Sequence, residues 1–523
     1  MKTKLTVARI FLKSVWQAVS LRSALTALLL APLAALHAAD APKPMPNIVV
    51  ILADDLGWRD LSCFGSTFYE TPNIDRLARR GIRFTEAYAA NPTCSPTRGS
   101  IMTGLYPARL GITLPVCHEN PARLQATLQT EAPANRKLLA AESCNRLLPE
   151  YYTLAEALRD EGYATALFGK WHLGPEPYDP LHQGFQTDIP HFNSGMPSPK
   201  GGYLPPWGFK NFEGKPGEHL EDRLTSEAIA FLGKNRSHPF FVCYAAPSVH
   251  SQWQAKPELL ERWQAKADPK NRQHNPIMGA MIQTLDDNIG RLMRALDDLG
   301  LSQNTIVIFF SDNGGVMYAK AGDAIVTDNH PLRAGKGTIY EGGTRVPCIV
   351  AWPGTTGADT RSDEVISSID FYPTILDMLG LKPRPDQKFD GISIVPALRG
   401  QPLPRKAIFC HYPEYFRWGG RTEGMLPSCY VRAGDWKLIR FFYDNPDWTD
   451  RFELYNLRED IGEKMNLAGK MPEKVEELNR MMDGFLKDTQ ALLPKPNQAY
   501  LAGANAAPQP SGTSESSSKS KRR

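Results

Sequence analysis

Short, almost purely apolar runs alternate with amphipathic stripes along most of this chain. The run NIVVILA (47–53) has no polar alternation and ends in two adjacent aspartates, Asp54 and Asp55. Such a run predicts a strand buried on both faces of a parallel sheet. Thr71 and Pro72 then offer an N-cap and a proline at N1, Ile74, Leu77 and Ala78 share one face, and Gly81 predicts the helix stop. IRFTEAYA (82–89) reads as the next strand. The alternation resumes at Thr153-Leu-Ala-Glu156, a capping box that opens a helix stopping at Gly162, with the strand YATALFGK (163–170) after it. Asn275-Pro276 opens a long helix with Ile277, Met281, Leu285, Ile289, Leu292 and Leu296 on one stripe, ending at Gly300. NTIVIFF (304–310) follows as another buried strand and runs into SDNGG.

Strands alternating with helices predict an α/β fold, a large mostly parallel sheet flanked by helices. Past about residue 400 the texture changes. YVRAGDWKLIRFFY (430–443) and RFELYNLRED (451–460) read as short amphipathic strands joined by turns, and a helix over Met471–Leu492 follows. This pattern predicts a smaller C-terminal α+β domain built on an antiparallel sheet. The expected organisation is a large domain over 40–400, the smaller one over 401–500, and a low-complexity, disordered polar tail over 501–523.

With 523 residues, 42% hydrophobic and 22% charged, the chain is ordinary globular material able to bury a large core. Its formal charge of +4 is a property of its ends. Residues 1–39 hold Lys2, Lys4, Arg9, Lys13 and Arg22 with no acid, and 501–523 hold Lys519, Lys521, Arg522 and Arg523 against Glu515 alone. The body between them is net acidic, which offers no basic face for nucleic acid. The basic start leads into ALTALLLAPLAAL (24–36) and then HAAD, an export signal with cleavage expected near residue 38 or 39. That apolar run is too short, and broken by Pro32, to span a bilayer, and no cysteine follows until Cys63. The expectation is an exported protein, periplasmic or secreted, with no membrane anchor. Eight cysteines in such a compartment permit disulfides, but they are too few for a disulfide scaffold and their connectivity is not readable.

In open α/β sheets, ligands bind beyond the carboxyl ends of the strands. Here those ends carry Asp54-Asp55, Asp312-Asn313, Lys170 and His172 in FGKWHLG, and His250 after FFVCYAAPSV. An Asp-Asp pair or an Asp-Asn-Gly-Gly stretch alone is an ordinary turn. Together they provide three carboxylates and an amide, a set suited to one hard divalent cation, Ca²⁺ or Mg²⁺. The histidines lack zinc-site spacing. Cys94 stands in CSPTR before a proline-started helix, with Pro96 near N1, where a helix N-terminus favours an anion. A disulfide half, a buried core thiol and a chemically modified nucleophile are all open for this cysteine.

Taken together and in order, NIVVILADDLGW, TPNIDRLARRGIRFTEAYA, CSPTRGSIMTGLYPARLGI, GKWHLG, DDNIGRLMRAL, FFSDNGG and RAGKGTIYEGGTRVP resemble the type I, formylglycine-dependent sulfatases of the alkaline phosphatase superfamily. The resemblance runs from about Asn47 to Ala468 and makes 40–400 the catalytic domain. It implies that Cys94 is oxidised to formylglycine by a formylglycine-generating enzyme that reads Pro96 and Arg98. It implies metal ligation by Asp54, Asp55, residue 94, Asp312 and Asn313, with Ca²⁺ expected ahead of Mg²⁺. Arg98 would hold the aldehyde hydrate, Lys170 and Lys336 would bind sulfate oxygens, His250 would protonate the leaving alcohol, and His172 would take the proton that expels sulfate. His250 sits in PSVHSQW where the family more often has His-x-Pro. The implied substrate is a sulfate ester on a saccharide. The alternatives are a phosphodiester or phosphonate monoester hydrolase on the same scaffold, and a non-catalytic binder of sulfated glycans. His411 with Arg417, Trp418 and Arg421 reads equally as a sugar pocket or as domain packing. His182 and His191, in or beside the loop Thr187–Lys215, read as pocket wall or plain surface.

Overall fold

The computed structural model describes residues 45–416 and 424–500. The proposed signal, the C-terminal tail, and Arg417, Trp418 and Arg421 lie outside the described residues. The large sheet is formed by β1 (Asn47–Ala53), β2 (Ile82–Tyr88), β3 (Ala164–Gly169), β4 (Thr187–Ile189), β5 (Phe240–Ala245), β6 (Thr305–Ser311), β7 (Arg345–Ala351), β8 (Thr360–Ser362) and β9 (Ile366–Ser367). Its order is β8-β2-β7-β6-β1-β5-β3-β4, with β9 also on β2. Every pairing is parallel except the two made by β7, which runs against both β6 and β2. The sheet is therefore mixed but mostly parallel.

β1, β5, β6 and β7 are buried along their whole length. Burial on both faces explains their unbroken apolar runs. Register places Ile48–Leu52 against Phe241–Ala245 on one side, and Asn47–Ala53 against Thr305–Ser311 on the other. The carboxyl ends of β1, β3, β5 and β6 thus share one edge, which brings together Asp54, Lys170, His250 and Asp312. Helices α1 (Pro72–Arg79), α2 (Cys94–Thr103), α3 (Leu154–Asp160), α4 (Leu220–Lys234) and α5 (Pro276–Asp298) connect the strands. The α5 stripe of Met281, Ile282, Leu285, Ile289, Leu292 and Leu296 joins the core under the sheet.

Local signals read from the sequence had mixed outcomes. Thr153 and Glu156 form a reciprocal capping box at α3. Asn275 Oδ1 accepts from the N–H groups of Ile277 and Met278 at the start of α5. Thr71, by contrast, does not cap α1, because its hydroxyl donates to Asp75 Oδ1 at 3.1 Å and accepts from Ser62 N. Pro96 is the third residue of α2 and not the first, since Thr93 is the N-cap and the helix starts at Cys94. A proline fits there because the first-turn N–H groups have no helical acceptor.

The C-terminal segment forms a sequential antiparallel sheet of β10 (Ile408–Tyr412), β11 (Ser428–Ala433), β12 (Trp436–Phe441) and β13 (Arg451–Asn456). Strand alternation divides its side chains. Cys429, Val431, Leu438 and Leu454 meet Leu478, Met482, Phe485 and Leu486 of α6 (Pro472–Asp488), whereas Tyr430, Ile439 and Phe441 meet Tyr88, Ile339 and Tyr340. The helix ends four residues short of the expected Leu492. Lys437, fully buried, bridges Glu341 at 3.0 Å and Glu463 at 2.9 Å and ties this sheet to the segment before β7.

Candidate active site

The two central strand ends are stitched to each other. Asp312 N donates to Ala53 O at 3.1 Å, Asp55 N donates to Asp312 Oδ1 at 3.2 Å, and Asn313 Nδ2 donates to Asp55 Oδ1 at 2.8 Å. Asp55 takes a left-handed φ of 64°, a conformation Asp tolerates better than most residues, as the chain leaves β1. Gly314 follows because a Cβ there would lie 1.8 Å from the Gly342 carbonyl oxygen. The close approach of SDNGG to YEGG is thus a packing requirement.

Cys94 begins α2, every residue of which is buried. One turn on, Arg98 reaches Asp312 Oδ2 with Nε at 2.9 Å and Nη2 at 2.8 Å, and donates from Nη1 to Lys170 O. Ser95 Oγ donates to His172 O at 2.7 Å. The cysteine helix is therefore fixed to the ends of β3 and β6.

Three cationic side chains surround the carboxylates. Lys170 Nζ lies 2.6 Å from Asp54 Oδ2, and Lys336 Nζ lies 2.6 Å from Asp55 Oδ1. Arg98 Nη2 is 3.9 Å from Asp54, and His250 Nε2 is 3.7 Å from Asp55. Burial would raise the Asp54 pKa, but Lys170, His250, Arg98 and Lys336 outweigh it and hold the carboxylate far below its ordinary range. Asp312 goes the other way, pushed up to about 7 by burial and then by the Asp54 charge. Burial, then Lys336 and Lys170, lowers His250 to about 4. Burial lifts the Cys94 thiol to about 12, so as encoded it is a poor nucleophile at neutral pH.

The oxygen donors here fit a hard cation. Asp54, Asp55, Cys94 and His250 each offer a ligand atom within 4.8 Å of one another. Asp54 Oδ1 and Asn313 Oδ1 are buried acceptors without a hydrogen-bond partner. Such atoms are costly unless something satisfies them, and two oxygens among carboxylates are what Ca²⁺ or Mg²⁺ would satisfy.

All the residues singled out from the motifs, Asp54, Asp55, Cys94, Arg98, Lys170, His172, His250, Asp312, Asn313 and Lys336, are buried at or next to this sheet edge. Of the other candidates, His182 and His191 bond to Asp179 and Asp188 on their own turns. His411 is buried on β10 with Nε2 against Leu492 O and its ring nearly perpendicular to Phe442, and it also lines a cavity with Arg109, Tyr151 and Gln490, so both readings of it stand. His118 was not singled out. It comes from a loop outside every motif, yet its Nδ1 lies 2.8 Å from His172 Nε2. A lone histidine in VCHEN carries no spacing signal that would have found it. All eight cysteines are free thiols.

A mostly parallel sheet with carboxylates and fixed cations over a helix-start residue belongs to the alkaline-phosphatase-like hydrolases of anionic esters. Within that class, the sulfatase family model matches residues 46–381, and a model of the N-sulphoglucosamine sulphohydrolase C-terminal region matches 334–491. The chain belongs to the sulfatase family, enzymes that hydrolyse sulfate esters. It is 29% identical to human N-acetylgalactosamine-6-sulfatase over 87% of this chain and 88% of that protein. It is 32% identical to human arylsulfatase A over 86% and 89%. The solved structure of Ps i-CgsB in complex with k-i-k-neocarrahexaose is 28% identical, with TM-score 0.69 over 88% of this chain and 96% of that one.

Proposed function

We propose that this sulfatase is exported and removes sulfate from a carbohydrate, with a formylglycine made from Cys94 and one divalent cation. The observation that carries the reading is the pair of unsatisfied buried oxygens, Asp54 Oδ1 and Asn313 Oδ1, in a carboxylate cluster that also holds Cys94. Asp54, Asp55, Asp312, Asn313 and residue 94 would hold the cation. Ca²⁺ suits the sealed, all-protein set better than Mg²⁺, which keeps several waters. When bound, the cation would offset the ligand charge and acidify the nucleophilic hydroxyl.

The chain's own residues supply the rest. Lys170 and Lys336 would meet the sulfate oxygens, where negative charge must be stabilised. Arg98, already anchored on Asp312, would orient the hydrate at position 94. His250 would protonate the leaving alcohol, sharing that task with Lys336. At rest, burial and the lysine charges keep His250 neutral. A sulfate anion against those lysines cancels that field and favours the protonated ring. His172 would take the proton from the remaining hydroxyl. Export is supported by the basic, then apolar segment over 1–39, and a carbohydrate substrate by the oligosaccharide bound in the Ps i-CgsB structure. The test compares rates on an aryl sulfate and an aryl phosphodiester, followed by a panel of defined sulfated saccharides. Faster phosphodiester turnover, or no desulfation of any saccharide, would overturn the respective half of the reading.

A further inference from the structure

The least explained contact at the site joins two histidines. His172, with a left-handed φ of 60°, is buried, and its Nδ1 has no hydrogen-bond partner. Its other nitrogen, Nε2, lies 2.8 Å from His118 Nδ1, with ring centroids 5.0 Å apart. His118 is exposed, so the pair runs from the interior to the surface of the protein. Gly195 closes over both rings. A Cβ there would come within 3.2 Å of His172 Cε1 and 3.6 Å of His118 Cε1, so the pair is held from above by backbone.

Only one proton can occupy the nitrogen-to-nitrogen contact, and its position sets which atom of His172 can act as a base. If His118 donates, the neutral His172 must carry its proton on Nδ1, a buried donor with nothing to receive it. If His172 donates from Nε2, its Nδ1 keeps a bare lone pair. The charges around His172 decide between these states. Lys170 and Arg98 stand against Asp54 as its charged neighbours, so the local field is cationic. A cationic field favours a lone pair over an N–H at Nδ1. On the surface side, His118 has Glu119, Lys170 and Arg146 as its charged neighbours, and its own Nε2 can be served by water.

We propose that His118 is a positioning residue: its Nδ1 accepts the Nε2 proton of His172 and so reserves His172 Nδ1 as the proton acceptor in sulfate release. When Nδ1 takes a proton, the resulting imidazolium keeps its Nε2–H on His118, which stabilises the charge without any further transfer. The proposal rests on the reading that His172 is the base, and adds the acceptor that fixes its tautomer.

The test uses steady-state kinetics on an aryl sulfate with four variants of the matured enzyme, checked for folding by circular dichroism. His118→Asn keeps an acceptor oxygen near the place of Nδ1, His118→Lys can donate but cannot accept, and His118→Ala has neither group. The expected result is a loss in kcat of roughly tenfold or more for Ala and Lys, with KM within about twofold, and recovery of most of that loss in Asn. Because His118 is exposed, these changes leave the core intact. Equal kcat in Asn and Lys, or a change confined to KM, would overturn the acceptor role and make His118 a substrate contact or a bystander. His172→Ala separates the two levels. If it loses kcat while every His118 variant behaves as wild type, only this inference fails. If it keeps full kcat, the base assignment fails, and this inference with it.

Discussion

Arg98 places two nitrogens on a single oxygen of Asp312, Nε at 2.9 Å and Nη2 at 2.8 Å, which leaves Asp312 Oδ1 to accept from Asp55 N. One arginine on the cysteine helix thus orients an acid at the end of a central strand. That acid in turn fixes the turn carrying the second acid. The start of the Cys94 helix and the candidate cation site are built as one unit, so charge removed at either should be felt at both.

The first prediction follows from that unit. Asp312→Asn keeps the size of the side chain and removes its charge. It should weaken cation affinity and lower kcat/KM by about a hundredfold or more at limiting Ca²⁺. In the wild type, Ca²⁺ added to chelated protein should raise the thermal midpoint, since a ligand at 100 times its Kd stabilises by about 2.7 kcal/mol. Full activity after verified metal removal would contradict the site.

Second, His250→Ala should cost far more on substrates with basic alkoxide leaving groups than on activated aryl sulfates. A general acid contributes about 10²–10⁴-fold where the leaving group needs a proton, and little where it does not. The measurement is the ratio of wild-type to variant kcat/KM across a leaving-group series. A flat ratio would remove His250 from that role.

How much of this was legible in the chain differs by scale. Asp54, Asp55, Asp312 and Asn313 stood out only together, because each pair closes a run buried on both faces at the strand ends where ligands bind, while either pair alone reads as an ordinary turn. Their meeting was not legible. Asn313 and Asp55 are 258 residues apart, and only the parallel pairing of β1 with β6 brings them to 2.8 Å. The reversal of β7 was also hidden, since a strand buried on both faces reads the same in either direction. His118 was missed because one exposed loop histidine has no pattern, and Thr71 was misread because Asp75 and Ser62 compete for its hydroxyl.

Third, stability should fall as pH rises toward mild alkali. Burial pushes both Glu414 and Glu221 up to about 8, against hydrogen bonds from Thr113 and Ser248 that act the other way. Both are therefore protonated in the fold at neutral pH, whereas the unfolded chain releases those protons near pH 4.5. A raised carboxyl pKa gives stability that is complete below the unfolded value and is lost as pH passes through the folded one. Thermal midpoints should decline between about pH 5 and pH 8. Glu414→Gln, which keeps an acceptor for Thr113, should flatten the decline, and parallel curves for the two proteins would refute the assignment.

Fourth, Lys437→Met should cost about 3–5 kcal/mol, read from denaturant unfolding, because it removes the cation buried between Glu341 and Glu463 and leaves Glu341 with Arg345 at 3.4 Å. Replacing Lys437 and Glu463 together by apolar residues of similar volume should recover most of that loss, since Glu341 keeps Arg345 and the penalty lies in the unpaired charge and not in a missing attraction. A single-variant loss under 1 kcal/mol would mean that water or a proton already compensates the pair.

The last prediction concerns position 94. The thiol as encoded sits at the start of α2 with its pKa pushed up to about 12, so it would be almost wholly protonated, and inert, at neutral pH. On the proposed reading, oxidation to an aldehyde would replace this weak nucleophile with a hydrate beside the residues that would hold the cation. Cys94→Ala should therefore abolish turnover while leaving the unfolding midpoint nearly unchanged. Arg83 and Arg98 bracket the tryptic peptide FTEAYAANPTCSPTR, whose only cysteine is Cys94. Replacing CH₂SH by CHO removes about 18 Da together with the thiol. The peptide from active protein should carry that loss, resist alkylation and react with hydrazides. Protein made without the modifying enzyme should give the intact, alkylatable peptide and little activity. Fully active protein that yields only the alkylated cysteine would show that residue 94 works as a thiol, and the hydrate mechanism would be wrong.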